Sequence, residues 1–526
     1  MIMNFDINKR NYYVIPVLLS LIIVLILTLS NRFPLGWDIY THMSYSLAYL
    51  HDGITSVDYL LNAPAGKAIG YPPLFHIILI LTSFISGSML DAARILQIVL
   101  SVCNIFVICY AAKEFFDEKV GFFAGILLLS SFMITRFFLP IPETLAMIFF
   151  TLAVLFYYKA AVESNYKYSL IVVVCSLLTL AAHFSSFVYL MALLLVLMLV
   201  LTLILRNFNA IEYYVYIILP IFLISIAALG AMFVLGSSHL TQIVDGIFSI
   251  ISNPFDLFMG QVAMGLERYI RCVGIISLLF AIVGLFYSIK NREFLFVTLW
   301  ALIAFVISNL HWFGIPVYTF RMLIYLIIPM VMLGAYGIIK LLEDIKNYNP
   351  NIIKIFTIAL IILSFVLCLV NISDPSVQIY KSTTEQSSFQ IAPPTSDEVE
   401  LISWFENENV GNKSILINNL FMGTVISSID EIPLHYGFDV YTNKSLSKSS
   451  LESLNNETIG YIVYDKSLVM NNSDEYDSLD VRYVNGTYYP SYYFTKEITE
   501  NNFNEIKLQH SEKVFENNRF IVCKID

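Results

Sequence analysis

Residues 71–88 read YPPLFHIILILTSFISGS, and whether this stretch crosses a membrane decides the sidedness of everything after it. Its apolar run from Leu74 to Ile85, allowing Thr82 and Ser83, is twelve residues long. A bilayer core needs about 20, and runs of about 10–14 are more often re-entrant or interfacial than spanning. Around it, a chain of 526 residues that is 58% hydrophobic and 13% charged carries eleven longer apolar runs. They cover 12–30, 95–112, 120–138, 142–158, 168–182, 187–205, 212–236, 272–289, 294–310, 320–339 and 352–370. The first follows Lys9-Arg10 but lacks a small-residue cleavage site, so it reads as an uncleaved span rather than a signal peptide.

The positive-inside rule arbitrates the 71–88 question. If the stretch does not cross, twelve cations gather on the cytoplasmic side: Lys9, Arg10, Lys113, Lys119, Lys159, Lys167, Arg206, Lys290, Arg292, Lys340, Lys346 and Lys354. Seven stay outside: Arg32, Lys67, Arg94, Arg136, Arg268, Arg271 and Arg321. If it crosses, the split reverses to seven inside and twelve outside. Charge therefore favours an N-terminus inside, eleven spans and a juxtamembrane helix near 72–88.

The net charge of −10 belongs to the other end of the chain. Residues 1–370 hold 19 Lys+Arg against 17 Asp+Glu, whereas 371–526 hold 11 against 23. Under this topology the acidic region lies outside the cell membrane. Its six N-x-[ST] sequons, at Asn371, Asn412, Asn443, Asn456, Asn471 and Asn485, are compatible with that side. The organisation expected is a membrane domain over 1–372, a linker over 373–384 and a polar α/β domain over 385–526. In the last, Thr395 and Glu398 form a capping box ahead of EVELISWFENEN. Strand-like runs follow at SILIN, IGYIVYD and RFIVCKI, and VRYVNGTYYP predicts a hairpin turning at Asn485-Gly486. Its single cysteine, Cys523, excludes an internal disulfide. No metal-ligand spacing, glycine-rich nucleotide loop or nucleophile elbow occurs in it.

The same topology confines the outer polar residues to short loops. In the first, NRFPLGWDIYTHMSYSLAYLHDG (31–53) predicts a helix from about Trp37 to Gly53. Ile39, Met43, Leu47 and Leu50 share one stripe, and Asp38, His42, Tyr45 and Tyr49 another. Lys67 belongs to the same loop. Further on, Glu143 follows Pro142 at a span start, His183 lies between two spans and Arg321 opens a late span. Carboxylates, histidines and an arginine at one depth suit transfer from a lipid phosphate: an acid deprotonates the acceptor or holds a divalent metal, and arginine neutralises the leaving phosphate. The structural alternatives are an N-cap for Asp38, a first-turn acid favoured by the helix dipole for Glu143, and an arginine snorkelling to headgroups for Arg321.

The order GWDIYTH, YPPLFHIILI, RFFLPIPETLA and then an Arg-headed late span resembles the polytopic glycosyltransferases of the C-type (GT-C) fold. These include the protein mannosyltransferases, the lipid A aminoarabinose transferases and the oligosaccharyltransferase catalytic subunits. The resemblance implies a membrane all-α, GT-C-like bundle with a C-terminal extracytoplasmic α/β domain. It also implies transfer of a sugar from a polyprenyl-phosphate donor to a glycan, lipid or protein acceptor, with membrane lipid as surroundings and no nucleic acid. Asp38 matches the first-loop acid, as base or metal ligand. Glu143 takes the place of a second acid, and Arg321 that of the arginine at the lipid phosphate. His42 and Glu143 would orient Asp38 or share a divalent metal, Mg or Mn, with it, and Lys67 would assist Arg321 at the donor lipid phosphate. Some relatives carry Lys directly before Pro-Pro; here Tyr71 stands there and Lys67 four residues earlier.

Two other readings compete. An oligosaccharyltransferase-like subunit would use a lipid diphosphate, but the Trp-Trp-Asp-Tyr-Gly motif that reads an acceptor sequon is absent from this sequence. A glycolipid-binding subunit or transporter of envelope polysaccharide is the third; transport calls for charges at mid-membrane or paired broken helices, whereas here the charges cluster at span ends.

Overall fold

The computed structural model describes residues 11–234, 252, 265–290, 294–315, 319–346, 350–373, 394–408, 410–411, 413–435, 459–466, 469–470, 481–484, 487–490, 498–499 and 512–524. Lys9, Arg10, Arg292, the 373–384 linker beyond Ser373, the turn residues Asn485 and Gly486, and the sequons from Asn412 to Asn485 lie outside the described residues.

In chain order the helices are α1 (Val14–Ser30), α2 (Asp38–Asp52), α3 (Leu74–Ser86), α4 (Met89–Phe115), α5 (Glu118–Ser130), α6 (Ile134–Phe137), α7 (Pro142–Glu163), α8 (Tyr166–Ala182), α9 (Phe184–Leu203), α10 (Asn209–Val234), α11 (Glu267–Cys272), α12 (Ile275–Lys290), α13 (Leu295–Ser308), α14 (Thr319–Lys346), α15 (Pro350–Ser373), α16 (Ser396–Asn407) and α17 (Leu420–Asp430). The strands are β1 (Val57–Asp58), β2 (Lys67–Ala68), β3 (Ser414–Ile417), β4 (Leu434–His435), β5 (Ile459–Asp465), β6 (Val469–Met470), β7 (Val481–Val484), β8 (Thr487–Pro490), β9 (Ile498–Thr499), β10 (Glu512–Glu516) and β11 (Phe520–Lys524).

Two compact units result. The first holds Met1–Ser30, Tyr71–Phe75 and Leu96–Ile372. Each expected apolar run meets a helix. Among the described residues six helices, α4, α7, α9, α10, α14 and α15, are long and apolar enough to cross a membrane. The run expected as one span over 120–138 is instead divided: α5 stops at Ser130, and α6 begins at Ile134. The cause is local competition for hydrogen bonds. Ser131 Oγ donates to the Cys272 carbonyl at 3.0 Å and Met133 N to the same oxygen at 3.2 Å, which draws the backbone out of the helix. Residues 131–133 are buried, the condition under which irregular backbone is tolerated inside a membrane protein. Helices α12 and α14 cross closely. A Cβ on Gly284 would overlap the Leu333 carbonyl, and one on Gly337 the Phe280 carbonyl, so small residues let the two backbones touch.

The second unit holds Asn31–Gly70, His76–Ile95 and Ser373–Asp526. Its five-stranded sheet has the order β10-β11-β5-β3-β4, with β4, β3 and β5 parallel and β11 and β10 antiparallel. The capping box at Thr395 and Glu398 forms as the sequence predicts, and β7 and β8 pair as the expected hairpin. Where β5 ends and β11 begins, Arg519 reaches Asp465 through Nε at 3.0 and 3.1 Å and Nη2 at 2.7 Å, and Glu398 through Nη1 at 3.0 Å. Burial raises the Glu398 carboxyl to about 7 despite the opposing pull of Arg519.

The first loop belongs to this unit. Leu61 bridges Leu434 in parallel, extending the sheet beyond β4. The α3 helix has 13 residues, about 20 Å at 1.5 Å per residue, shorter than a core about 30 Å thick.

Candidate functional site

The five residues singled out by sequence divide between the two units. Asp38, His42 and Lys67 lie in the second; Glu143 and Arg321 lie in the first.

In the second unit Trp37 occupies the N-cap position of α2 and supplies no side-chain cap, so Asp38 is the first helical residue rather than the cap. An acid there is favoured by the helix dipole. One turn on, His42 is buried, and the helix is buried all round from Ile39 to Tyr49 rather than along one stripe. The partner of His42 is His76, Nδ1 to Nε2 at 3.1 Å. Tyr45 and Tyr49 set their rings edge-on to His76 at 5.8 and 5.5 Å. Gly53 closes α2 at φ +74°, as the sequence predicts.

The β1–β2 hairpin brings Lys67 over the Tyr45 ring, 5.8 Å from its centroid. Burial lowers the Lys67 ammonium from its ordinary range, and Asp58 and then Asp38 oppose that shift. Burial likewise raises Asp58, which accepts from Ser44 Oγ at 2.6 Å and Leu60 N at 2.9 Å. Lys67 thus joins Asp38 and Asp58 in one electrostatic group. Sequence reasoning missed His76 and Asp58; a histidine inside the apolar stretch 71–88 was the available signal.

In the first unit Pro142 and Glu143 open α7, and the buried Glu143 carboxylate pairs with Arg136 of α6. His183 and Arg321 lie within its electrostatic reach. His183 caps α9, accepting from Ser186 N at 3.3 Å; its Nδ1 also hydrogen-bonds Ser186 Oγ at 2.7 Å, and that hydroxyl bonds Tyr325 Oη at 2.7 Å. Tyr71, which stands where some relatives have lysine, stacks on His183 with centroids 6.2 Å apart. The break after α5 that the sequence hid is what supplies Arg136. The cluster holds two guanidiniums against one carboxylate, a setting for a phosphate.

Of the expected metal set, Asp38 and His42 lie in the second unit and Glu143 in the first. Glu143 pairs with Arg136 through Oε2, and His42 bonds His76 through Nδ1. Among the described residues no three His, Cys, Asp or Glu side chains converge as ligands.

Residues 71–229 match the family described as dolichyl-phosphate-mannose-protein mannosyltransferase. No curated protein matches in sequence. Among solved structures, the oligosaccharyltransferase of Archaeoglobus fulgidus in complex with Zn and sulfate is similar at TM-score 0.60 and 12% identity, over 86% of this chain and 68% of that one. ArnT of Cupriavidus metallidurans bound to undecaprenyl phosphate is similar at TM-score 0.58 and 11% identity, over 98% of both chains. The arabinofuranosyltransferase AftD from Mycobacteria follows at 0.51 and 12%, over 92% of this chain and 41% of that one.

Proposed function

Because the chain has the GT-C fold of these membrane glycosyltransferases, we propose that it transfers a sugar from a polyprenyl-phosphate donor to an acceptor at the outer membrane face. The observation that carries this reading is Asp38 at the first position of a buried helix in the first loop, grouped with Lys67. Asp38 takes the proton of the acceptor nucleophile as that atom bonds the anomeric carbon. The bond from that carbon to the phosphate oxygen breaks, and polyprenyl phosphate leaves with the electron pair. Arg321 and Arg136 stabilise the leaving phosphate, and two arginines against Glu143 suit one phosphate better than two. Lys67 favours the ionised form of Asp38 through its charge. His42 orients α2 through His76, and no step is routed through a metal. The N-terminus is cytoplasmic and the C-terminal domain extracytoplasmic, as the loop charges support.

The test is transfer from a panel of radiolabelled polyprenyl-phosphate sugars, in membranes expressing wild type or Asp38→Asn at equal levels. Wild-type transfer reduced about 10²–10⁴-fold in the variant is expected for loss of a general base. Equal transfer by both would remove Asp38 from the chemistry. Transfer only from diphosphate-linked sugars would move the chain to the oligosaccharyltransferase-like reading.

A further inference from the structure

Trp37, directly before Asp38, sets its ring edge-on against Phe421 of α17, with centroids 4.5 Å apart and planes at 72°. Phe421 is a rigid seat. It is 1% exposed, and its own N–H donates to the Asn419 side chain at 3.2 Å. Asn419 in turn donates through Nδ2 to Asp465 at 2.8 Å, and Asp465 is clamped by Arg519.

Two further ties flank this contact along the chain. Before it, Arg32 makes a bidentate pair with Glu406 of α16, one arm at 2.7 Å. After it, the segment around Leu61 joins the sheet: Leu434 N donates to the Leu60 carbonyl at 2.7 Å, Ala63 N donates to the Leu434 carbonyl at 2.9 Å, and Ser427 Oγ donates to the Leu60 carbonyl at 3.2 Å. The first turn of α2 has no side-chain cap at Trp37 to fix it. A general base must nonetheless be held close to its working geometry, and displacements near 1 Å cost orders of magnitude in rate.

We propose that the C-terminal domain is the positioning element of the Asp38 helix, with Trp37 and Phe421 as its positioning residues. The proposal rests on the transferase reading above and gives the polar domain a task in that reaction without requiring it to touch substrate. The loop is borne from both ends by the sheet and by α16 and α17, and the aromatic pair fixes the turn that carries the acid.

The experiment uses the full chain in lipid nanodiscs, as wild type, Trp37→Ala, Trp37→Phe, Phe421→Leu and the Trp37→Ala/Phe421→Leu double variant. Transfer kinetics are measured beside hydrogen exchange of α2, β5 and β11. Trp37→Ala and Phe421→Leu are each expected to lower kcat on the order of tenfold, the scale of one aromatic pair, with donor KM within about twofold, as for a contact that serves the transition state. Trp37→Phe restores most of the rate, and the double variant is no slower than either single one. Exchange quickens in the first turn of α2 and not in β5 or β11. Unchanged kcat and unchanged α2 exchange in Phe421→Leu, or fully additive losses in the double variant, would overturn the proposal. If wild type transfers nothing, the transferase reading falls, while exchange still decides whether Phe421 holds α2.

Discussion

Replacing Arg519 by methionine tests the buried ion triad on which the seat of α17 depends. Arg519 holds Asp465 by Nε and Nη2 and Glu398 by Nη1, and both carboxylates are 0% exposed. Removing the cation from a buried pair costs about 3–5 kcal/mol, because the remaining charge is neither solvated nor matched. Asp465 retains the Asn419 amide at 2.8 Å, and Glu398 retains the Thr395 N–H at 2.8 Å. A loss of about 4 kcal/mol near neutral pH is therefore expected, equivalent to roughly a thousandfold faster opening of β5 and β11. Hydrogen exchange of the full chain in nanodiscs reads these strands alone, which matters because a chain of two units need not unfold in one step. Without Arg519 to oppose burial, Glu398 takes a proton near neutral pH, so the unmatched charge that remains is Asp465. A loss of protection below about tenfold in Arg519→Met would show that the triad is solvated or matched elsewhere, and the reasoning from buried charge would fail.

Three further outcomes follow from the same geometry. Burial raises Glu398 from 4.5 to about 7, so between those values the folded domain binds more protons than the unfolded chain, and its stability falls as pH rises through the window by about 3 kcal/mol; exchange of β5 in Glu398→Gln should lose this slope. Gly284→Ala places a Cβ on the Leu333 carbonyl and should destabilise the α12–α14 pair by about 1–3 kcal/mol, measured as a lower midpoint of denaturant unfolding. Arg136→Leu leaves Glu143 buried without its ion pair and should cut accumulation of folded protein, whereas Arg136→Leu/Glu143→Leu restores folding but not sugar transfer, measured as monodisperse yield beside the radiolabel assay.

The multi-span architecture was legible because apolar runs near span length are a one-dimensional signal. The capping box at Thr395 and the hairpin of 481–490 were likewise local in the chain. What stayed hidden was long-range. The break at Ser131 depends on the Cys272 carbonyl, 141 residues away, and no local propensity announces it. His76 looked like one more member of an apolar helix until folding set it 3.1 Å from His42. The amphipathic stripe drawn for α2 was too narrow, because a helix enclosed by its own unit buries its polar face also. The seat of Trp37 on Phe421 joins residues nearly 400 positions apart, a pairing that periodicity cannot carry.

These hidden contacts change the chemistry assigned to the visible ones. A hydrogen bond between two imidazoles needs one donor nitrogen and one acceptor nitrogen, so the His42–His76 pair accommodates one proton beyond neutrality at most. A metal on His42 Nδ1 would displace that bond. Asp38 is differently placed, in one electrostatic group with the Lys67 ammonium. A base requires a charged form stabilised by a field and kept in place by packing, whereas a metal ligand requires companions at bonding distance. Asp38 has the first setting through Lys67 and α2. In the reaction proposed above, the first-loop acid therefore serves as the proton acceptor.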